Sequence, residues 1–433
     1  MKTFEKYGVR IPQILLPKKL NLESWSVIAC DQYTQDADYW KKTEEIANGK
    51  ESSLNLIFPE VYLGKENEQA RIQKIHDTMT QYLENGIFDE KNAAVYVERT
   101  TEFGRVRRGL VVAIDLEDYE WKPGSKSLIR ATEATVPERL PPRMKIRKGA
   151  ALELPHIMLL ADDSKNLLLG GLEKVAKKNP PLYSGNLMHG SGSICGWGVC
   201  GEESEAIFDE AIKNLAENGK QSDRSVFLFA VGDGNHSLAT AKAVWDEYKK
   251  DLSDAEKENS RVRFALVEIV NIYDSGLTFE PIHRVVLNHE SQILIDFLQK
   301  KLDGERKEFA TEEELCAFVE EKSDGARYGF CADGKFFALQ TKNRDLAIAP
   351  LQSALDEFIC ENGGKKEDID YIHGTKDTIR LGKTKNQTAI LLPPIAKDSF
   401  FQTIARRGVL PRKSFSMGEA SEKRFYVESR RLF

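Results

Sequence analysis

Residues 225–249 read SVFLFAVGDGNHSLATAKAVWDEYK and combine three local patterns in one continuous segment. Residues 225–231 are almost all apolar, which is typical of a strand that is buried on both faces. Residues 237–249 have the length and composition of a helix. Between them, Gly232 and Gly234 flank Asp233 in a short turn. The segment therefore predicts a buried strand, a tight loop and a helix, and it indicates an α/β protein.

The predicted turn carries residues that suit an anion. The first N–H groups of a helix lack internal partners and lie at the positive end of its dipole. Gly232 and Gly234 allow the backbone to come close to a ligand. Asp233 could hold a metal ion or take a proton, and His236 could donate to a phosphoryl oxygen or act as an acid–base group. The structural alternative makes Asp233 or Asn235 a simple N-cap and His236 a surface residue.

The composition is that of an ordinary globular protein. Its 433 residues are 41% hydrophobic and 30% charged, which is enough for at least one large core. The 62 basic and 68 acidic side chains give a formal charge of −6. A chain with this charge has no long-range positive field that would attract nucleic acid or anionic lipid. No run approaches the roughly 20 apolar residues that span a bilayer, and residues 1–10 lack the apolar centre of a signal peptide. We therefore expect a cytoplasmic protein with neither nucleic-acid nor membrane partners.

The cysteine pattern argues against disulfides and zinc. Six cysteines stand at positions 30, 195, 200, 316, 331 and 360, too sparsely for a disulfide framework. The close pair Cys195 and Cys200 has no second pair at zinc-ligand spacing. We therefore expect reduced thiols and no metal site.

Further elements are predicted on both sides of the central segment. Helices are expected at 36–47, 67–83 and 202–218, a strand hairpin at 93–98 and 110–115, and a buried strand at 264–272. The proline-rich stretch 121–149 is expected to lack long regular elements, the glycine-rich stretch 184–201 to be a turn cluster, and 251–260 to be a charged linker. Beyond residue 290 helices alternate with short strands, among them the pair 326–331 and 335–340. We expect an α/β core at 1–290 and a smaller α+β unit at 291–433.

Three different short motifs follow one another along the chain. They are Asp233-Gly234-Asn235-His236, then Gly276-Leu277 with Pro281-Ile282-His283-Arg284, and finally Leu410-Pro411-Arg412-Lys413-Ser414-Phe415. In this order they resemble the motifs of the bacterial and archaeal DUF1015 family over nearly the whole chain. The turn is also similar to the phosphate-binding box of the ParB/sulfiredoxin-like superfamily, which includes a partition-protein CTPase, sulfiredoxin and free serine kinases. The resemblance implies a ParB/sulfiredoxin-like core, with the Lys413 turn in the smaller C-terminal unit.

Two positions depart from the family pattern. Ser237 stands where the family usually has an arginine, and a hydroxyl cannot replace a bidentate guanidinium on phosphate. The family segment Arg-Pro-His-Glu reads Arg130-Ala131-Thr132-Glu133 here, so that the arginine and the glutamate remain but the histidine does not.

The resemblance also implies the residues of the site. The expected catalytic residues are Asp233, His236, Glu133 and His283. The expected ligand contacts are Arg130, Gly232, Gly234, Asn235, Ser237, Arg284, Lys413 and Ser414. We expect these residues to converge on one cleft. The alternatives are a solvated loop for Glu133, a strand-end contact for His283 and Arg284, and a helix end for Lys413.

We expect a nucleotide- or phosphate-dependent phosphotransferase or hydrolase that acts on a small metabolite. The superfamily suggests an amino acid such as serine as the substrate, and Mg²⁺ would accompany a nucleotide. Phosphoryl transfer is catalysed mostly by positioning and charge neutralisation, which suits Arg, Lys, His and a carboxylate. The alternative is a non-catalytic nucleotide- or metabolite-sensing protein. The sequence leaves the substrate, the phosphate donor, the direction of reaction and the oligomeric state open.

Overall fold

The computed structural model describes residues 2–433 and divides the chain into two compact units. Unit 1 contains the residues up to Leu277 together with Gly418–Phe433, and unit 2 is Thr278–Met417. This division differs from the domain boundary expected at residue 290. The strand Phe279–Leu287 pairs with strands of unit 2, and the end of the chain returns to unit 1.

Helices and strands follow one another along the described residues without a regular alternation. The helices are Thr3–Lys6 (α1), Leu22–Trp25 (α2), Ala37–Ala47 (α3), Glu68–Glu84 (α4), Leu140–Arg147 (α5), Leu168–Ala176 (α6), Glu202–Asn218 (α7), Asn235–Tyr248 (α8), Asp254–Asn259 (α9), Ser291–Lys301 (α10), Glu312–Glu320 (α11), Ile348–Glu361 (α12), Thr375–Gly382 (α13) and Lys397–Arg407 (α14). The strands are Val9–Arg10 (β1), Gln13–Pro17 (β2), Phe88–Asn92 (β3), Ala94–Thr100 (β4), Val106–Asp115 (β5), Tyr119–Glu120 (β6), Ile129–Ala131 (β7), Leu152–Glu153 (β8), Met158–Ala161 (β9), Tyr183–Asn186 (β10), Ser193–Val199 (β11), Phe229–Asp233 (β12), Phe264–Asn271 (β13), Phe279–Leu287 (β14), Glu305–Phe309 (β15), Arg327–Ala332 (β16), Lys335–Gln340 (β17), Ile369–His373 (β18), Gln387–Leu391 (β19), Phe415–Met417 (β20) and Arg430–Arg431 (β21).

A ten-stranded mixed sheet forms the centre of unit 1. Its strand order is β10-β11-β4-β5-β13-β9-β12-β7-β6, and β1 pairs with β5 at the side. β12 is parallel to β7 and antiparallel to β9. Alternate residues of the sheet enter two separate apolar clusters, as Tyr96 and Val97 on β4 illustrate. Both faces are therefore covered, which explains the continuous apolar runs of the central strands. The predicted mixed α/β class is confirmed.

The end of the chain is built into unit 1. The indole N–H of Trp25 donates to the carbonyl of Val427 at 3.0 Å, and the backbone N–H of Tyr426 donates to Val27 at 2.8 Å. Phe425, Tyr426 and Val427 are buried in the same apolar cluster as Val97. Gly418–Phe433, called the C-terminal segment below, is therefore part of the core of unit 1.

Unit 2 contains a seven-stranded antiparallel sheet. Its order is β15-β17-β16-β19-β14-β18, with β20 paired to β14. The predicted hairpin at 326–331 and 335–340 is confirmed by β16 and β17. Val285, Leu315, Cys331 and Ile379 pack together between this sheet and its helices. Unit 2 is thus a small α+β unit.

Three stretches predicted as an irregular segment, a turn cluster and a linker contain short helices or strands. Residues 184–201 form β10 and β11, because Gly196 lets the ring of Tyr183 pack where a Cβ atom would be 2.2 Å from Cζ. Residues 121–149 contain α5, whose prolines lie in its first turn, where the N–H they lack would have no helical acceptor. Residues 251–260 contain α9, which begins with a capping box of Ser253 and Glu256. The turn cluster predicted at 184–201 is therefore a strand hairpin and the linker predicted at 251–260 contains a short helix, whereas the helix within 121–149 has only eight residues.

Two general features bear on the class of protein. All six cysteines carry free thiols. Among the described residues, no helix combines the length and the apolar character that spanning a bilayer requires.

Candidate functional site

The turn after β12 lies at a sheet edge that it shares with the end of β7. The two strands are parallel, with Ala230 opposite Arg130 and Val231 opposite Ala131. Their carboxyl ends therefore meet at the same edge. Thr132 and Glu133 follow β7 there, next to the turn that leads into α8. The edge beyond the carboxyl ends of parallel strands is where α/β proteins commonly bind ligands.

Hydrogen bonds lock the two loops together. The Thr132 hydroxyl donates to the carbonyl of Val231 at 2.6 Å, and the Thr132 backbone N–H donates to Asn235 Oδ1 at 3.3 Å. The side-chain amide of Asn235 donates in return to Thr132 Oγ1 at 3.3 Å. Thr132 thus takes a structural part where the family has a histidine.

Gly234 is the N-cap of α8 and holds the turn close to β9. Its φ of +79° lies in the left-handed region, and a Cβ atom there would be 3.1 Å from Cα of Ile157. No side chain caps the helix, so the alternative in which Asp233 or Asn235 is the N-cap is wrong. The first intrahelical bond runs from the Leu238 N–H to the Gly234 carbonyl at 2.9 Å. The amides of the first turn, up to Ser237, therefore have no acceptor within the helix.

His236 lies in this first turn and contacts the loop after β7. Its Nε2 accepts the backbone N–H of Val136 at 3.4 Å. A nitrogen that accepts carries no proton, so the ring proton of the neutral imidazole lies on Nδ1.

Asp233 pairs with a lysine from the C-terminal segment. Its Oδ1 accepts the Gly234 N–H at 3.0 Å, and its Oδ2 lies 3.4 Å from Nζ of Lys423. Lys423 is only 9% exposed, so nearby carboxylates are needed to offset the cost of burying its ammonium charge. The sequence reasoning missed Lys423, which lies in a part of the chain remote from Asp233 and has no local pattern to mark it.

A second carboxylate and a histidine lie near the same lysine. Asp31 Oδ2 is 4.0 Å from His156 Nε2, and His156 directly precedes Ile157, against which the Gly234 turn packs. Burial by itself raises the pKa of the Asp31 carboxyl, but His156, an amide hydrogen bond from Gln32 and the charge of Lys423 outweigh it. The pKa therefore lies below its ordinary value.

The sequence reasoning also missed Asp31 and His156. Each borders a short apolar run, at 27–30 and 157–161, and polar residues at the ends of such runs were the available signal. Glu133 and Ser237, which the sequence singled out, are half-buried residues of the same edge. Within the described chain, no group of three or more His, Cys, Asp or Glu side chains is arranged to hold a metal ion.

The Arg130 side chain is not directed towards the Asp233 turn. Its Nε donates to the carbonyl of Ser127 at 3.0 Å, and its terminal nitrogen donates to the hydroxyl of Ser225 at 3.1 Å. Its guanidinium also lies 4.6 Å from the ring centre of Phe227. Because these partners precede β7 and β12, the guanidinium is directed to the amino ends of the strands. The expectation that Arg130 contacts the Asp233 turn is corrected accordingly.

The histidine and arginine of the second motif have partners inside unit 2. His283 Nδ1 accepts the Leu392 N–H at 3.1 Å, and its Nε2 lies 3.3 Å from the hydroxyl of Thr375. Arg284 is fully buried and donates to Gln352 Oε1 at 2.9 Å. Burial, with the charge of Arg284, lowers the pKa of His283 to about 4. His283 is therefore neutral near pH 7.

The third motif is also held within unit 2. Nζ of Lys413 lies 5.1 Å from the ring centre of Tyr371, and the Ser414 hydroxyl donates to the carbonyl of Pro411. Lys413 has a φ of +54°, which a tight turn requires. The convergence of His283, Arg284, Lys413 and Ser414 on the Asp233 turn stays a prediction.

The lowered pKa of His283 predicts a loss of stability in mild acid. The unfolded chain, with a histidine pKa near 6.5, takes up a proton before the folded chain, whose His283 pKa is about 4. The contribution of neutral His283 to the free energy of unfolding is complete above pH 6.5. It is lost as the pH falls towards 4, by about 3 kcal/mol in total. His283→Gln cannot titrate, so its free energy of unfolding should fall less over this range. Equal pH dependence in the two proteins would show that His283 does not resist protonation.

Comparison with known proteins gives a family and a set of remote folds. The family model described as "Protein of unknown function (DUF1015)" matches residues 12–358. Among curated proteins, none matches the chain. The predicted resemblance to DUF1015 is confirmed, whereas the ParB/sulfiredoxin-like similarity of the core stays a prediction.

Three solved structures are similar at low identity. A free serine kinase in complex with AMP is 13% identical with a TM-score of 0.35, over 74% of this chain and 92% of that chain. A conserved hypothetical protein from Pyrococcus furiosus is 12% identical with a TM-score of 0.33, over 75% and 97%. C-terminally truncated SbnI from Staphylococcus aureus is 10% identical with a TM-score of 0.34, over 71% and 83%. Likeness at this level carries no information about the site.

Proposed function

This chain belongs to the DUF1015 family, and from that premise we propose that it is a nucleotide- or phosphate-dependent phosphotransferase or hydrolase of a small metabolite. An amino acid such as serine is one candidate substrate. The observation that carries the proposal is the uncapped start of α8, placed at a sheet edge together with one nearly buried lysine and two carboxylates.

The start of α8 and Lys423 together suit a phosphate group. Helix amides without an intrahelical acceptor, at the positive end of the dipole, favour an anion. Gly234 takes the left-handed φ that starts the helix and leaves it without a side-chain cap. His236, whose Nε2 accepts the backbone N–H of Val136, lies in the same first turn and remains a proposed catalytic residue. Lys423 supplies the full positive charge near the turn that Ser237 cannot provide.

The carboxylates suit the chemistry that accompanies phosphate. Mg²⁺ is usually bound by substrate phosphates and one or two carboxylates, and Asp233 and Asp31 are half-buried carboxylates of this assembly. Glu133 follows β7 at the same edge and remains a proposed general base. The magnesium would balance the phosphate charge.

A non-catalytic sensing protein is the second candidate. The hydrogen bonds of Thr132 to Val231 and Asn235 favour it. Thr132 stands where the family has a histidine, and these bonds give that position a structural role instead of a chemical one. Turnover separates the two candidates, since a sensor binds its ligand without converting it.

A thermal-shift screen tests the proposal. ADP, ATP, pyrophosphate and phosphoserine, each with and without Mg²⁺, would be added to the full chain. A ligand that binds only the folded state should raise its stability by about 2.7 kcal/mol at a hundredfold excess over Kd. If no phosphate compound shifts the unfolding temperature, the proposed function is wrong.

The Ser237→Arg variant locates the binding in the same screen. A guanidinium in the first turn of α8 should tighten binding of a phosphate compound by about 1–3 kcal/mol. Glu247→Arg is the matched control, because it adds the same group near the other end of α8. Equal tightening in both variants would indicate a general charge effect instead of a site at the turn.

A further inference from the structure

The turn of the β4–β5 hairpin holds the residue that precedes Lys423. Arg105, in this turn, donates to both carboxylate oxygens of Glu422, from Nε at 3.1 Å and from a terminal nitrogen at 2.7 Å. Arg107 on β5 donates to the backbone carbonyl of the same glutamate at 2.7 Å. Glu422 is therefore held both by its side chain and by its backbone.

The contacts around Glu422 are largely removed from water. The side chain of Glu422 is 4% exposed, and Arg99 and Arg107 are buried. Arg99, on β4, donates to the carbonyl of Ser421 at 3.2 Å, so the residue before Glu422 is fixed as well. A guanidinium that meets a carboxylate through two N–H groups has a defined geometry. The backbone at 421–422 is thus fixed to the hairpin.

The position of Lys423 follows from this fixed backbone. A 3-10 turn at Ala420–Glu422 ends directly before it, and the Lys423 N–H donates to the Ala420 carbonyl at 3.2 Å. Adjacent Cα atoms are about 3.8 Å apart, so a fixed Glu422 also fixes the base of the lysine side chain. Lysine has a long and flexible stem, and a fixed base limits the positions that its ammonium can reach. In this arrangement Nζ lies 3.4 Å from Asp233 Oδ2.

We propose that Glu422 is a positioning residue of the candidate site. Held by Arg105 and Arg107, it places the ammonium of Lys423 beside Asp233, where a phosphate group at the start of α8 would meet it. This inference rests on the proposed function, in which Lys423 supplies the positive charge near the turn. Glu422 acts through Lys423, and Arg105 acts through Glu422.

The proposal adds the β4–β5 hairpin to the parts of unit 1 on which the site depends. None of the three sequence motifs includes Arg105 or Glu422, and the two residues are 317 positions apart. β4 and β5 pair along their whole length in the central sheet, so the hairpin offers a firm base. Lys423 should therefore lose its place when the Arg105–Glu422 pair is removed, although the Asp233 turn itself is unaltered.

Chemical labelling of lysines tests the placement without a ligand. The full chain would be treated with a limiting amount of acetic anhydride, and the acetylation of each lysine would be measured by mass spectrometry. Lys423, whose side chain is 11% exposed, should be labelled about tenfold faster in Glu422→Gln, the factor by which a lost charge-assisted hydrogen bond changes a local equilibrium. Lys242 in α8, whose side chain is 9% exposed, is the internal control. Unchanged labelling of Lys423, or equal acceleration of both lysines, would overturn the proposal.

Two arginines of the hairpin give matched variants that also serve if Glu422→Gln fails to fold. The side chains of Arg105 and Arg108 are 35% and 33% exposed. Arg105→Gln removes the partner of Glu422 and should accelerate the labelling of Lys423 as Glu422→Gln does. Arg108→Gln removes the partner of Asp274, which is 3.4 Å away, and should leave the labelling of Lys423 unchanged. Equal labelling in the two arginine variants would contradict the proposal.

Binding of pyrophosphate connects the placement of Lys423 to the proposed function. Glu422→Gln should weaken the binding of Mg²⁺-pyrophosphate about tenfold in calorimetry. In the Lys423→Gln background, Glu422→Gln should cause no further loss, because residues that act through one another are not additive. Additive losses would show that Glu422 has only a structural role and would overturn this inference alone. If the unaltered protein bound no phosphate compound, the proposed function would be overturned, whereas the labelling would still decide whether Glu422 places Lys423.

Discussion

Replacing Asp233 by asparagine should lower turnover about 10²–10⁴-fold, the range associated with losing a group that handles a proton or a charge. Asparagine keeps the shape and the oxygen that accepts the Gly234 N–H at 3.0 Å. It removes the charge that lies 3.4 Å from Lys423. The comparison therefore isolates the charge from the turn, and steady-state kinetics with the phosphate donor found in the screen would measure it.

The control for Asp233→Asn is a carboxylate on the same helix. Asp246 lies near the other end of α8 and pairs with Lys249 at 2.7 Å and with Lys242 at 3.2 Å. Asp246→Asn should leave turnover unchanged, because this carboxylate lies about three helical turns away from Asp233. If Asp233→Asn were as active as Asp246→Asn, Asp233 would only support the turn and the site would lie elsewhere.

Replacing Glu428 by glutamine should destabilise unit 1 by about 3–5 kcal/mol, the cost of leaving a buried charge without its partner. Glu428 is fully buried, lies 2.6 Å from the guanidinium of Arg424 and accepts the hydroxyl proton of Tyr183. Arg424 is itself only 1% exposed. Its other carboxylate partner, Glu268, is 3.4 Å away and is already shared with Arg107. Urea unfolding of the full chain would measure the change in free energy.

An exposed ion pair of the same C-terminal segment provides the control for Glu428→Gln. Arg431 lies 3.0 Å from Glu90, and both side chains are more than one third exposed, at 38% and 39%. Glu90→Gln should change the stability by no more than about 1 kcal/mol. Equal losses in the two variants would contradict the view that burial makes the Arg424 pair important.

The buried Arg424–Glu428 pair also supports the candidate site. Arg424 and Glu428 anchor the segment that also carries Lys423 and Tyr426. Lys423 reaches Asp233, and Tyr426 orients His156. Stability of the C-terminal segment and assembly of the site are therefore linked in unit 1, although the segment follows all of unit 2 in the sequence.

Local patterns determined the elements that depend on local physics. The apolar run before Gly232, the glycines of the turn and the helix after it predicted β12 and α8, because backbone preference and periodic burial act over a few residues. The helix predicted at 202–218 is α7, with the same bounds. The ordered motifs also placed the chain in its family.

Only the tertiary structure decided which distant residues meet. It brought Asp31, His156 and Lys423 to the edge where Asp233 lies, and it turned Arg130 towards the other end of its strand. It also formed strands at 183–186 and 193–199, where Gly196 leaves room for the ring of Tyr183. Such outcomes depend on strand pairing and on where a buried polar group finds its partner. These contacts join positions that are far apart in the chain, and so no local pattern in the sequence contains them.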